Sequence, residues 1–314
     1  TVTLMIAGGI QYDIVTDVVF GQSFSFPYLA EKISDGSVLT EYPVALFCGW
    51  VDSMGIRYTD DSGRGLYTWN VPTDTTLYAL WPRQIDSQEE FDEWLGEEDY
   101  LSQSIALNCD VTLTDPIGDR NNPYIGVFIG NGYTVTLNYT VAGVDSGNYD
   151  GYVGMVAYNK GTIKNVRLDA VINIATTSGY NNDLFLGGMA GINEGRIIST
   201  ESGSSADIRV SILVNFTLSA KFAYIGGIAG RSSGEISNIS CELNTITIKV
   251  SGQDYTGASS NIIAGSIVGN VTNGSVSTRS AKYYYLDGAY VLGDFGAVSS
   301  GAQTAVNVAK TKIS

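Results

Sequence analysis

The sequence has no histidine, and its 314 residues include only three cysteines, six prolines and 17 basic residues. Without histidine, the Ser-His-Asp triad, the Cys-His pair and any histidine-containing zinc site are excluded. The 32 acidic residues bring the formal net charge to −15. Because nucleic acids and anionic membranes are bound through basic patches, this charge argues against both as partners. No apolar run reaches the ~18 residues that would span a bilayer.

The three cysteines, Cys48, Cys109 and Cys241, are odd in number and far apart. Their spacing matches neither a zinc ribbon nor a disulfide framework, so we expect small buried apolar side chains. Scarce cysteine and abundant Gly, Thr, Ser, Asn and Tyr are typical of extracellular proteins on the bacterial cell surface, which is the predicted location. No leader begins the sequence, so we expect any export signal or anchor to have been removed or to lie elsewhere.

Residues 1–83 are predicted to form short strands separated by turns. Apolar residues alternate over 1–6, and the segments 17–26, 44–51 and 74–81 are rich in β-branched and aromatic residues. Gly, Asp and Pro separate these segments, which is the pattern of strands joined by turns.

Three motifs in this region resemble a known family. They are Gly-Gly at 8–9, Phe-Cys-Gly-Trp at 47–50 and Asp-Thr-Thr-Leu-Tyr-Ala-Leu-Trp at 74–81. Together they resemble the Listeria–Bacteroides repeat, the B-repeat of internalin-type surface proteins. The resemblance implies a small β-grasp-like module over 1–83. The chain departs from the family at 27–43, where it is longer than the usual repeat.

Trp50 and Trp81, which close two of these motifs, have two interpretations. They could form a ligand platform, but the motif spacing favours core anchors that pack one strand on another.

Residues 86–95 are predicted to form a helix. Asp86 or Ser87 can cap its start, and Phe91, Trp94 and Leu95 form an apolar stripe that must cover something. The segment 89–99 holds seven acidic residues. A calcium site is one interpretation, but the spacing of a calcium loop is missing, so a solvated helix face is favoured.

From about residue 105 the sequence is repetitive. Gly-Gly-Met-Ala-Gly at 187–191 recurs as Gly-Gly-Ile-Ala-Gly at 226–230, a shift of 39 residues. Similar copies begin at Val153 and Gly265, and each copy is followed by a polar turn and Gly-x-apolar. One such unit cannot bury its own apolar face, so the copies must stack as a solenoid.

Apolar residues after each turn are expected to fill a narrow core between the stacked copies. The predicted core positions are Ile163, Val166, Leu168, Ile236, Ile239 and Leu243. Strands are expected at 162–168 and 237–243, and the alternating segments 207–218 and 243–250 would supply further sides.

The repeats resemble the GLUG-motif repeats of bacterial surface proteins. The motifs at 107–113, Pro-Ile-Gly at 116–118 and the segment 124–135 resemble the region that opens such proteins, although Tyr124 and Ile129 stand where the family often has Phe and Asp. The resemblance implies a right-handed parallel β-helix over 84–314, with the helix at 86–95 as its N-terminal cap. The predicted fold class is therefore all-β, a β-grasp-like module followed by a solenoid.

The acidic residues of the repeats have two interpretations, catalysis and a structural role. A glycosidase needs two carboxylates close together on one face. Glu194 and Glu235 are separated by about one repeat, but both lie in or beside turns. Glu194 and Arg231 could form an ion pair between rungs, and exposed pairs of that kind are weak. We therefore predict a protein that is not an enzyme, with no catalytic, cofactor-binding or metal-binding residues.

The one candidate ligand contact is Tyr283, Tyr284 and Tyr285, which could form an aromatic platform or cover the last coil. The predicted function is that of an adhesin-like surface protein, which attaches to or displays an unknown protein or glycan partner through a rigid solenoid. The alternatives are an accessory region of a larger secreted enzyme and a carbohydrate-active β-helix.

Overall fold

The computed structural model describes residues 1–6, 9–27, 29, 46–145, 150–200, 207–216, 222–250, 253–254, 262–265, 268–272 and 275–283. These residues form many strands and a single helix, so the all-β prediction is confirmed. The chain divides into two compact units. The first is Thr1–Gln84 with Ser104–Ala106, and the second is Ile85–Gln103 with Leu107–Ser314.

The first unit is built on a mixed four-stranded sheet. Its strands are β1 (Val2–Ile6), β2 (Ile10–Val15), β3 (Gly49–Val51) and β4 (Thr75–Leu80), in the order β2-β1-β4-β3. β1 pairs with β4 in parallel and with β2 antiparallel, and β3 is antiparallel to β4. In β1 alternate residues are buried, as the apolar period of two predicts.

The core of the first unit is largely aromatic. Trp50 is fully buried, its ring lies 5.3 Å from that of Phe47, and its indole N–H donates to the Pro27 carbonyl at 3.2 Å. Trp81 is half-buried and packs against the same core. Trp50 is thus a core residue, as the motif spacing favoured.

The predicted strand at 17–26 is wrong. Gly21 has a φ of +79°, and its N–H donates to the Trp69 carbonyl at 2.8 Å, so the chain turns there. Phe24 and Phe26 then reach the Trp69 ring, at 5.1 and 5.7 Å, from a loop. The β-strand lies earlier, at Ile10–Val15.

Two other predictions for the first unit are tested only over part of their length. Of the predicted segment 44–51 the structure describes 46–51, and there the strand is Gly49–Val51. The long segment at 27–43 lies outside the described residues, apart from Pro27 and Leu29.

Two short strands contain the boundary between the units, β5 (Arg83–Ile85) and β6 (Ile105–Leu107). The second unit has the helix α1 (Gln88–Leu95) and the remaining strands. These are β7 (Val111–Leu113), β8 (Val127–Ile129), β9 (Thr134–Val144), β10 (Tyr152–Val153), β11 (Val156–Asn159), β12 (Thr162–Lys164), β13 (Arg167–Thr176), β14 (Leu184–Gly187), β15 (Ala190–Asn193), β16 (Arg196–Ile198), β17 (Asp207–Phe216), β18 (Ala223–Gly226), β19 (Ala229–Ser232), β20 (Glu235–Val250), β21 (Gln253–Asp254), β22 (Ile262–Gly265), β23 (Val268–Val271) and β24 (Ser275–Tyr283).

Parallel pairing joins the strands of successive repeats. One sheet has the order β10-β14-β18-β22, and a second has the order β11-β15-β19-β23. The third includes the run β8-β12-β16-β20-β17-β13-β9-β7. Val156, Ala190, Ala229 and Val268 occupy one register position in successive strands. Residues that match in the repeated motif therefore lie side by side.

The predicted core positions of the second unit are buried wherever the structure describes them. Ile163, Ile197 and Ile236 form one register column, and each is fully buried. Val166, Leu168 and Ile239 are at most 2% exposed. The side chain of Leu243 lies outside the described residues.

Asparagine at positive φ divides one of the expected strands. Asn131, Asn165 and Asn238 have φ values of 54°, 54° and 58°, the left-handed conformation that asparagine tolerates better than most residues. The predicted strand at 162–168 is therefore two strands, β12 and β13, which meet at Asn165. β20 continues through Asn238 without a break.

The helix α1 begins two residues later than predicted. The Ser87 side chain accepts from the Glu90 N–H at 3.2 Å, while the Glu90 carboxylate accepts from the Asp86 N–H at 2.7 Å, close to a capping box. Phe91 and Trp94 are fully buried, and their rings lie 6.4 and 6.2 Å from that of Phe128 in β8. The apolar stripe thus packs on the first strands of the second unit.

Candidate functional site

A ladder of aromatic rings runs across the sheet that contains β10, β14 and β18. Tyr152, Phe185 and Tyr224 occupy the same register position in these strands. The Phe185 ring lies 5.1 Å from each of its neighbours, edge-to-face with Tyr152 and stacked with Tyr224. Phe222 lies beside the row, two residues before Tyr224, and its ring stacks on Tyr224 at 6.1 Å.

Side chains from the neighbouring sheet reach the same row. Tyr158 of β11 and Arg231 of β19 share a second register column. The Tyr158 ring is 6.1 Å from that of Tyr152. Side chains of two different sheets therefore form one cluster. We call it the aromatic cluster: Tyr152, Tyr158, Phe185, Phe222 and Tyr224, with Arg120, Lys160 and Arg231 and the acids Asp150, Asp183 and Glu194.

Glycines of the repeated motif bring the two sheets together. A Cβ at Gly191 would lie 2.7 Å from the Val153 nitrogen and 3.0 Å from the Phe185 oxygen. A Cβ at Gly230 would lie 2.6 Å from the Leu186 nitrogen. Backbone meets backbone at these positions, so only glycine fits.

Each cation of the aromatic cluster lies over a ring. A positive charge is attracted to the face of an aromatic ring, and the attraction is worth about 0.5–1 kcal/mol at an exposed site. The pairs are Arg120 with Tyr152 at 5.8 Å, Lys160 with Tyr158 at 5.0 Å and Arg231 with Phe185 at 5.1 Å.

Carboxylates balance these cations. Glu194 lies 3.7 Å from the Lys160 ammonium and accepts a hydrogen bond from the Tyr158 hydroxyl. Asp150 accepts from the backbone N–H groups of Tyr152 and Arg120, both at 3.0 Å. With Asp183, which acts electrostatically on Tyr152 and Tyr224, the acids equal the cations in number. The cluster is therefore neutral on a strongly acidic chain.

The tyrosines of the cluster keep their protons at neutral pH. Burial raises the pKa of Tyr152, Tyr158 and Tyr224 above the ordinary tyrosine value. For Tyr158 the hydrogen bond to Glu194 raises the pKa further. Each hydroxyl is thus a neutral group that can donate a hydrogen bond.

The rings differ in how much of them solvent reaches. Phe185 is only 4% exposed and lies between its neighbours, whereas Phe222 is 40% exposed. Tyr152, Tyr158 and Tyr224 are half-buried. Phe185 therefore fixes the spacing of the row, and the other rings present surface to solvent.

The sequence analysis missed this cluster. Its signal was an aromatic residue two positions before the first glycine of three successive copies, at Tyr152, Phe185 and Tyr224. The predicted contacts lie elsewhere: Tyr283 ends β24, where its backbone pairs with Leu243, and Tyr284 and Tyr285 lie outside the described residues. Their role as ligand contacts stays a prediction.

The predicted ion pair between Glu194 and Arg231 is wrong. Glu194 pairs with Lys160, and Arg231 lies over the Phe185 ring. Ion pairs between neighbouring rungs of the described residues include Arg196 with Glu235, at 3.0 Å, and Arg209 with Asp169, at 3.8 Å. Arg196 and Glu235 are register partners in β16 and β20, so they face each other directly.

The acidic run of α1 and the loop after it is held by amide groups. The Gln103 amide donates to Glu97 at 2.6 Å and to Asp99 at 2.7 Å, and Gln88 donates to Asp92 at 2.8 Å. Among the residues that the structure describes, no group of three or more His, Cys, Asp or Glu side chains could hold a metal ion.

The cysteines differ in environment. Cys48 is fully buried, as expected. Cys109 is only half-buried, and burial raises the pKa of its thiol. The side chain of Cys241 lies outside the described residues.

Comparisons of the chain with models of protein families, with curated proteins and with solved structures find no match. In the described part of the chain, no helix combines the length and apolarity needed to cross a membrane.

Proposed function

We propose that the second unit is a right-handed parallel β-helix whose N-terminal end is covered by α1. The parallel registers support this, because matching residues of successive repeats are 34 or 39 positions apart and lie side by side. The rings of Phe91 and Trp94 against Phe128 support the covering role of the helix. The motifs at 8–9, 47–50 and 74–81 support a Listeria–Bacteroides-type module in the first unit.

On this scaffold we infer attachment without catalysis, as an adhesin-like protein of the bacterial cell surface. The observation that carries the proposal is the aromatic cluster, where rings from two sheets are held in register beside equal numbers of cations and carboxylates. Two of its three carboxylates are engaged, Glu194 by Lys160 and Tyr158 and Asp150 by backbone N–H groups. Such an arrangement favours recognition over acid–base chemistry, which needs a carboxyl group free to exchange its proton.

Attachment is tested with beads that carry the intact chain. We expect flow over immobilised glycans and host matrix proteins to leave these beads bound, and beads with heat-denatured chain to wash away. Retention of neither kind of bead would contradict attachment and favour an accessory region of a larger secreted enzyme.

Catalysis is tested with the same chain and soluble polysaccharides. We expect no new reducing ends and no unsaturated products after prolonged incubation. Release of either product would favour the carbohydrate-active β-helix instead.

A further inference from the structure

We propose that the aromatic cluster binds a neutral glycan, laid along the ladder formed by Tyr152, Phe185 and Tyr224. The inference rests on the proposed attachment function and names its ligand class. The charge balance of the cluster, its exposed rings and the fixed spacing of the rings support binding of a neutral glycan.

The charge balance selects a neutral ligand. The formal charge of the chain is −15, yet Arg120, Lys160 and Arg231 are matched within the cluster by three carboxylates. A polyanion would be repelled by the net negative charge of the chain and would find no excess of cations in the cluster. A polycation would have to displace Lys160 from Glu194, 3.7 Å away, and would meet Arg120 and Arg231 over the rings of the ladder.

The rings and polar groups match the two faces of a sugar. A pyranose has an apolar face of C–H bonds and a rim of hydroxyl groups that both donate and accept. Phe222, 40% exposed, and the half-buried Tyr152 and Tyr224 offer apolar surface. The protonated tyrosine hydroxyls and the cations donate, and the carboxylates accept.

The ladder also fits a chain ligand better than a single sugar. Neighbouring strands lie about 4.8 Å apart, and the rings follow at 5.1 Å. Because Phe185 is buried, an oligosaccharide along the ladder would meet the half-buried rings of Tyr152 and Tyr224, which lie two strands apart. Because Phe185 is buried between its neighbours and the glycines lock the sheets together, the surface is formed before binding, which lowers the entropic cost.

Arg231 lies at the centre of the proposed site. Its guanidinium is 5.1 Å from the Phe185 ring centroid, and it acts electrostatically on Tyr152, Tyr158 and Tyr224. It therefore lies beside the middle ring of the ladder, where its N–H groups can donate to a ligand.

The test is calorimetric titration of the intact chain with defined sugars. The neutral probes are β-1,4-linked hexasaccharides of glucose, mannose and N-acetylglucosamine, and the acidic probe is the galacturonic acid hexasaccharide. We expect saturable binding of at least one neutral probe, with little dependence on salt. No neutral binding, or tighter binding of the acidic probe that weakens as salt is added, would overturn the proposal.

Three variants place the binding on the cluster. Phe222→Ala and Arg231→Gln should each weaken the neutral probe at least tenfold. Leu213→Ala, 37% exposed in β17, is the matched control and should stay within twofold. Melting temperatures report whether each variant is folded. If all three variants bind the neutral probe as tightly as the unchanged chain, this site is overturned. Retention of the beads by matrix proteins that carry no glycan would still support attachment.

Discussion

The buried residues of the first unit follow no common spacing along the chain, whereas buried strand residues of the second unit have counterparts in the next repeat. Phe47, Trp50 and Leu77 each occupy a place in the core that no other residue repeats. Ile163 and Ile197, by contrast, are register partners in one column. The first unit therefore depends on particular large side chains, and the second on correct spacing.

The units also use aromatic residues differently. Trp50 and Trp69, 0% and 3% exposed, lie inside the first unit. In the second unit Tyr152, Phe185 and Tyr224 form a row that is half-buried at its ends. Aromatic side chains thus fill the core of the first unit, whereas in the second unit they form both a ladder that reaches solvent and the buried contacts of Phe91 and Trp94.

The comparison predicts that the largest loss of stability follows truncation of a single core residue in the first unit. Trp50→Ala removes a fully buried ring together with its hydrogen bond to Pro27, and should cost about 3–5 kcal/mol of unfolding free energy. Chemical denaturation followed by tryptophan fluorescence measures it. Met54→Ala, at a residue that is 79% exposed, should change stability by less than about 0.5 kcal/mol. Equal effects of the two changes would refute the aromatic core.

In the second unit the largest loss of stability is predicted for the addition of a single methyl group. Gly230→Ala would place a Cβ 2.6 Å from the Leu186 nitrogen and 2.8 Å from the Tyr224 oxygen, so the two sheets must separate. We expect a loss of about 3 kcal/mol, read from the thermal unfolding of the second unit. Gly179→Ala is the control, since its nearest contact would be an ordinary 3.4 Å. Tolerance of both substitutions would show that the sheets are not held in contact by glycine.

A smaller loss is predicted for the buried polar row of the second unit. Asn193 accepts from Asn159 at 2.8 Å and donates to Ser232 at 3.1 Å, and all three are fully buried. Asn193→Ala leaves the Asn159 amide without this acceptor and should cost about 2 kcal/mol by urea unfolding. Asn173→Ala loses only an exposed bond to Thr140 and should change little. If Asn193→Ala leaves the free energy of unfolding unchanged, water has replaced the lost hydrogen bonds of the row.

The smallest effect concerns the start of α1. Ser87→Ala removes the acceptor for the Glu90 N–H and should destabilise the second unit by about 1 kcal/mol. Ser87→Asp keeps an acceptor and should retain most of the stability. Differential scanning calorimetry compares the variants, and an equal loss in both would show that the side chain acts by packing instead of capping.

Prediction from sequence succeeded where a pattern repeats. The period of the motif placed Ile163, Val166 and Leu168 in a core, and the alternation in 1–6 predicted β1. It failed at 17–26, where apolar residues that look like a strand fill the core from a loop, because composition does not show that Gly21 turns the chain.

The aromatic cluster was partly predictable. The common offset of Tyr152, Phe185 and Tyr224 in successive copies is visible in the sequence and predicts a ladder. The meeting of Arg231 with Phe185 was not, because it depends on how closely two sheets approach. For the same reason the partner of Glu194 was predicted as Arg231 and is Lys160.

The sequence by itself determined the all-β class, the repeat and its period, and the apolar columns, since these follow from local patterns that stacking must satisfy. Only the tertiary structure decided which residues meet across sheets. There the glycines at 191 and 230 allow backbones to touch, and side chains far apart in the chain become neighbours. Such contacts depend on geometry between strands, for which no single segment of the chain carries a signal.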